Sequence, residues 1–277
     1  MSLTAPGFAT ARALPRRPAG PLRASAGLVA QATDALEASE IRYCQCKEQG
    51  RRDRWLAAQG DIDLLVDRAS ASAFGFAVER LGFKLALPPA ELQVPGVVSY
   101  VGYDAGLGRL VHLHAHYHLV VGSAWRHYHL PIEAALLQRV VKRSPFHGPA
   151  PEHELLLFVL QQTLRHELRD LARIEPARLR GVEPELHRLE SAADRRTVAR
   201  ELERLLPQVE LACFERCLES LRPGVGPAAR LAARADLERR LRTFLRRPPA
   251  GASPFGMKSE PETATGSFPS PSPLVEE

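Results

Sequence analysis

No apolar run in this chain of 277 residues approaches the roughly 18 residues needed to span a bilayer. The longest, such as Leu155–Leu160, suits a buried helix or strand. The N-terminal stretch Met1–Leu22 carries Arg12, Arg16 and Arg17 among Pro and Gly, but no apolar core of a secretory signal. Cysteine is scarce, with 4 residues. Without an export signal the expected setting is a reducing cytoplasm, and the cysteines are expected to be thiols. Several chemical signatures are missing too. No Gly-x-x-x-x-Gly-Lys-Ser/Thr phosphate loop, Gly-x-Ser-x-Gly elbow or His-Glu-x-x-His zinc motif occurs. No internal repeat is present.

What remains is ordinary for a globular protein: 45% hydrophobic and 25% charged residues. The formal net charge is +5, with arginine clusters at Arg165, Arg169, Arg173, Arg178 and Arg180 and again at Arg239, Arg240, Arg242, Arg246 and Arg247. A basic balance attracts phosphates, nucleic acid and acidic membranes. No nucleic-acid motif accompanies the charge, so a solvated arginine-rich surface is the simpler reading and nucleic acid is not an expected partner.

The ends, 1–20 and 248–277, are rich in Pro, Gly, Ser and Thr and are expected to be disordered tails. Between them the pattern changes near residue 132. Over 21–131, short apolar runs alternate with helical spacing, which predicts an α/β (or α+β) domain. Its expected helices are Leu22–Ser39, Arg51–Gln59 and Ala69–Leu81. Its expected strands are Ile41–Cys46, Ile62–Val66, Phe83–Leu87, Val97–Tyr103 and Leu110–Val121. Over 132–247, helices dominate: Ile132–Val141, Glu152–Leu171, Pro176–Leu189, Asp194–Leu206, Val209–Leu221 and Ala228–Leu245.

Two strands carry chemistry. Asp61 and Asp63 lie two apart in Gly60-Asp61-Ile62-Asp63-Leu64-Leu65-Val66, so both carboxylates share one strand face. Adjacent carboxylates repel unless water or a cation neutralises them. Mg²⁺ favours one or two such oxygens together with substrate phosphates. The second strand, Val111-His112-Leu113-His114-Ala115-His116-Tyr117-His118-Leu119, alternates strictly and is expected to put four histidines on one face. His127 and His129 repeat the spacing. Beside the Asp strand, His112 and His114 would face the same cleft, whereas His116 and His118 read as half-buried structural residues. Cys44-x-Cys46 and Cys213-x-x-x-Cys217 each share a face, but their spacings are unusual for zinc and buried thiols are the expectation. Glu167 and Asp170 read as surface partners of nearby arginines.

In order and spacing these residues resemble bacterial nucleotidyltransferase-superfamily proteins, which occur alone or joined to a thymidylate-kinase-like domain. The resemblance covers about residues 41–165. It rests on Arg42-Tyr43 leading to Lys47, Gly60-Asp61-Ile62-Asp63-Leu64-Leu65-Val66-Asp67, Leu81-Gly82-Phe83-Lys84 and Pro95-Gly96-Val97. It continues through Gly102-Tyr103-Asp104, Val111-His112-Leu113-His114, Tyr128-x-Leu130-Pro131 and Glu152-x-Glu154-Leu155. It implies a mixed sheet flanked by helices, a nucleoside triphosphate substrate such as ATP, and Mg²⁺ or Mn²⁺. Two departures stand out. Lys47-Glu48-Gln49-Gly50 occupies the place of the superfamily's Gly-Ser pair, so Lys47, Gly50 and Gly60 become the candidate nucleotide contacts. His112 and His114 stand where a third carboxylate is expected.

The expected function is therefore transfer of a nucleotidyl group to an acceptor, a small molecule or protein. Asp61 and Asp63 would bind the metal, and Asp61, Asp63, His112 and His114 would form the catalytic set. The missing carboxylate keeps a second reading open, a catalytically weak nucleotide-binding or regulatory module. A third is a metal hydrolase built on the same histidines and aspartates.

Overall fold

In the first half of the chain, short helices alternate with strands: α1 (Leu28–Ala38), β1 (Tyr43–Gln45), α2 (Arg52–Leu56), β2 (Asp61–Val66), α3 (Ala71–Glu79), β3 (Lys84–Ala86), β4 (Val97–Asp104) and β5 (Arg109–His116). The computed structural model describes residues 27–47, 52–88, 93–94, 96–123, 126–165 and 182–245. The five strands form one mixed sheet in the order β1-β2-β5-β4-β3. Strands β2 and β5 run parallel and the other pairs antiparallel. The parallel pair needs a crossover, which the segment from α3 to β4 supplies. A mixed α/β architecture is thus present, as the alternating pattern predicts.

Alternation along β2 explains its sequence. Ile62, Leu64 and Val66 pack with Leu113 and Ala115 against Leu36 of α1 and Phe74 and Val78 of α3. Leu65 points the other way and joins Cys44 and Cys46 in a second cluster shared with the helices that follow. A strand covered on both faces is apolar at every position, hence Leu64-Leu65-Val66.

Two expected elements are divided. The run Leu110–Val121 is not one strand: β5 stops at His116, and a new strand, β6 (Val120–Ser123), pairs only with β7 (Arg126–His129). His116 is the last residue of β5 with partners on both sides, Leu65 in β2 and Val97 in β4. Beyond it the Tyr117 N–H still donates to Gly96 O at 2.7 Å, and the chain then bends at Tyr117–His118. The expected helix Ile132–Val141 also ends early. Helix α4 covers Glu133–Gln138, and the β-branched pair Val140–Val141 forms β8 against β9 (Gly148–Pro149).

From Pro151 onward the described elements are helical: α5 (Pro151–Arg165), α6 (Glu183–Ala192), α7 (Arg195–Leu205), α8 (Leu211–Ser220) and α9 (Pro227–Arg240). Leu156, Val159, Leu160 and Leu164 place α5 at the centre of the helical cluster. Asp194 caps α7 by accepting the Thr197 N–H at 2.8 Å, and proline stands in the first turn of α9. The same cluster includes Leu119, Val121, Tyr128 and Leu130, so one hydrophobic core crosses residue 132. Charged pins reinforce it. Glu154 is only 5% exposed and accepts from Arg143 at 2.8 Å and from Arg188, while His153 meets Glu201 at 3.0 Å. The Glu154 landmark thus has a structural role.

Among the described residues no helix is long and apolar enough to cross a membrane. The expected tails 1–20 and 248–277, the candidate nucleotide contact Gly50 and the Glu167–Asp170 pair lie outside the described residues.

Candidate functional site

The β2–β5 register sets Asp61 opposite His112, Asp63 opposite His114 and Leu65 opposite His116. These residues share one sheet face, and burial deepens along it. Asp61 and His112 are exposed, Asp63 and His114 half-buried, and Leu65 and His116 buried. The face is therefore a slope from solvent into the core. Gly60 adopts φ +82 immediately before Asp61, a left-handed conformation that glycine takes at little cost, and so turns the chain into the strand.

Asp63 is the hub. Its Oδ1 lies 3.0 Å from Lys47 Nζ, 2.7 Å from His116 Nε2 and 3.7 Å from His114 Nδ1. Asp61 Oδ1 lies 3.9 Å from His112 Nδ1. Lys47 is placed by its neighbours: the Cys46 N–H donates to Asp63 O at 3.1 Å, extending the β1–β2 pairing, and Gln45 Nε2 donates to Lys47 O at 2.8 Å.

Burial alone would raise the Asp63 pKa, but hydrogen bonds from His114 and His116 and the Lys47 ammonium outweigh it and hold the carboxyl well below its usual range. The hydrogen bond to Asp63 raises His114, with burial opposing. Burial, helped by the Lys47 charge, lowers His116. His116 is therefore neutral near pH 7 and donates Nε2–H to Asp63. Its buried Nδ1 has no hydrogen-bond partner, which suits the unprotonated nitrogen of that tautomer.

The structure thus brings together Asp61, Asp63, His112, His114 and Lys47, and places Gly60 at their mouth. It changes two histidine roles. His116, expected to be structural, is the nearest partner of Asp63, and its place in the same strict alternation was the available signal. His118 leaves the row, because the strand ends before it. The four histidines expected on one face are therefore three.

Two exposed apolar side chains flank these residues. Tyr103 and Leu110 face each other across β4–β5 on this same side of the sheet, 62% and 55% exposed. They make an apolar ledge beside the charged slope. In contrast, Asp104 of the Gly102-Tyr103-Asp104 landmark is buried and accepts the Leu28 N–H at 2.6 Å at the start of α1. Arg42 pairs with Asp67, tying two more landmarks to each other.

No three of Asp61, Asp63, His112 and His114 bring ligand atoms within 4.8 Å of one another. The four cysteines are free, buried and not gathered into a metal-ligating group. Cys46 is pushed up to about 12 by burial, the signature of an inert packed thiol. Comparison with family models, curated proteins and solved structures finds no match.

Proposed function

We propose that the chain is a nucleotidyltransferase-like protein that binds a nucleoside triphosphate with Mg²⁺ on the Asp61–Asp63 face and transfers the nucleotidyl group to an acceptor. One observation carries this reading: the parallel β2–β5 register sets two carboxylates beside two imidazoles on a face that opens to solvent, with Lys47 against the inner carboxylate. One exposed carboxylate, Asp61, and one that stays ionised, Asp63, would suit a single magnesium ion. Asp61 and Asp63 would hold the ion, which would supply positive charge against that developing on the triphosphate. Lys47 and His114, whose raised pKa favours its cationic form, would meet the triphosphate. Tyr103 and Leu110 would receive the base on their apolar ledge. Gly60 would let the phosphates approach the backbone at the strand mouth.

One feature favours a second reading. Lys47 and His114 lie against Asp63 Oδ1 and neutral His116 donates to the same oxygen, which offsets charge that a second metal would otherwise balance. A site neutralised by its own side chains suits nucleotide binding with slow or no turnover, as in a regulatory module. Incubation with labelled ATP, CTP, GTP and UTP plus Mg²⁺ or Mn²⁺ separates the two. Pyrophosphate release that disappears in the Asp61→Asn/Asp63→Asn variant supports transfer. Metal-dependent binding without release, in assays also supplied with hydroxylated small-molecule and protein acceptors, favours the regulatory reading, and no binding of any nucleotide removes both.

A further inference from the structure

We propose that His118, His129 and Glu133 form a second site, separate from the Asp61–Asp63 face, which binds one divalent transition-metal ion of the zinc class and leaves one coordination position open. It lies where the parallel strands β2 and β5 run out. A cavity of about 300 Å³ sits just past their carboxyl ends, lined by Val66, Asp67, Tyr117, His118, His129 and Glu133 among others. In open α/β sheets the crevice at that end of the strands is the usual place for a ligand.

The three donor atoms converge. His118 Nδ1 and His129 Nε2 are 3.1 Å apart, His129 Nε2 and Glu133 Oε1 2.6 Å, and His118 Nδ1 and Glu133 Oε1 3.7 Å. Ligands about 2.0–2.1 Å from a tetrahedral ion lie roughly 3.3 Å from one another. Two sides of the observed triangle are shorter than that value and one is longer, so a small adjustment of the side chains would admit the ion. All three side chains are half-buried, sheltered from bulk water yet facing the cavity.

Hydrogen bonding alone accounts poorly for this cluster. His129 Nε2 faces both a ring nitrogen and a carboxylate oxygen, and one ring nitrogen carries at most one proton. It cannot make two full hydrogen bonds. A cation among the three atoms replaces both contacts with coordination. Two imidazoles and a carboxylate suit a borderline ion such as Zn²⁺ better than Mg²⁺.

The surroundings fix the ligands in place. The Leu119 N–H donates to Glu133 Oε1 at 2.9 Å and so orients the carboxylate. A Cβ on Gly96 would overlap the His118 ring, so that glycine makes the room the ring occupies. Three protein ligands beside a cavity leave a fourth position for water or a small anion. Arg42 and Arg68 also line the cavity, and Asp67 neutralises Arg42, which leaves Arg68 to attract an anionic fourth ligand.

The test uses untagged, full-length protein stripped with chelator and titrated with Zn²⁺, and with Co²⁺ followed by its visible absorption. One equivalent should bind, and Co²⁺ should show the intense bands of a tetrahedral N/O site. His129→Ala and Glu133→Gln should each weaken Zn²⁺ binding by more than the roughly 10–100-fold that losing an outer hydrogen-bond partner costs. Glu133→Gln preserves shape and is decisive if His129→Ala does not fold by circular dichroism. Binding should persist in Asp61→Asn/Asp63→Asn, so failure here is distinct from failure of the nucleotide reading. Absence of stoichiometric Zn²⁺ binding would overturn the proposal. So would binding untouched by Glu133→Gln, or binding abolished only by His112→Ala/His114→Ala.

Discussion

Asp63 is kept charged inside a half-buried site by His114, His116 and Lys47, and its neighbours titrate in opposite directions. Its depressed carboxyl contributes stability that is present above the unfolded pKa of about 3.9 and lost as pH falls through the folded value. His114 is raised. Its contribution is fully present below the unfolded pKa of about 6.5 and is lost as pH rises through the folded value. His116 is lowered, so the folded state resists its protonation and stability falls as pH drops below about 6.5. His114→Gln should therefore be more destabilising at mildly acidic pH than at pH about 8, and His116→Gln should recover relative stability on acidification. Urea midpoints measured across that range check both, and parallel profiles for parent and variants would contradict the assigned protonation states.

At the scale of single elements, the helical layer is fastened to the segment before it by Glu154 on α5. Replacing Glu154 with Ala leaves Arg143 and Arg188 without their shared carboxylate. The cost should be about 2–3 kcal/mol by chemical denaturation, below the ~3–5 for a fully buried pair because Arg188 reaches solvent. A change below about 0.5 kcal/mol would show the pair to be ornamental. The elements also show where sequence is informative. Strand β2 was legible because burial on both faces demands an unbroken apolar run, and the Asp-x-Asp spacing then assigns both carboxylates to one side. The end of β5 was not legible. The alternation continues through Leu119, yet strand pairing ends at His116 and the bend at Tyr117–His118 sends His118 toward His129 and Glu133. Helix α4 ends earlier than its apolar spacing suggests because the β-branched pair Val140–Val141 favours a strand and Gly148–Pro149 supplies its partner. The candidate site was legible in Asp61, Asp63, His112 and His114, but the closeness of His116 to Asp63 depends on register, which one strand's sequence does not encode.

For the whole molecule, the central fact is that one sheet face leads from an open carboxylate mouth into a core shared with the C-terminal helices. Cys44, Leu65, Val121, Tyr128 and Leu130 are covered by that shared cluster. A chain ending at residue 150 should lose cooperative unfolding and near-ultraviolet dichroism, because those apolar side chains lose their cover. A sharp, cooperative transition in that fragment would show the sheet to be self-sufficient. The same layering leaves the mouth of the slope, with Asp61 and His112, accessible to a charged ligand. Calorimetric titration of nucleoside triphosphate, with and without Mg²⁺, into the parent protein and into Asp61→Asn/Asp63→Asn tests that conclusion most directly. Metal-dependent binding in the parent that is abolished in the double variant is the expected result, and equal binding in both, or binding indifferent to Mg²⁺, would contradict it.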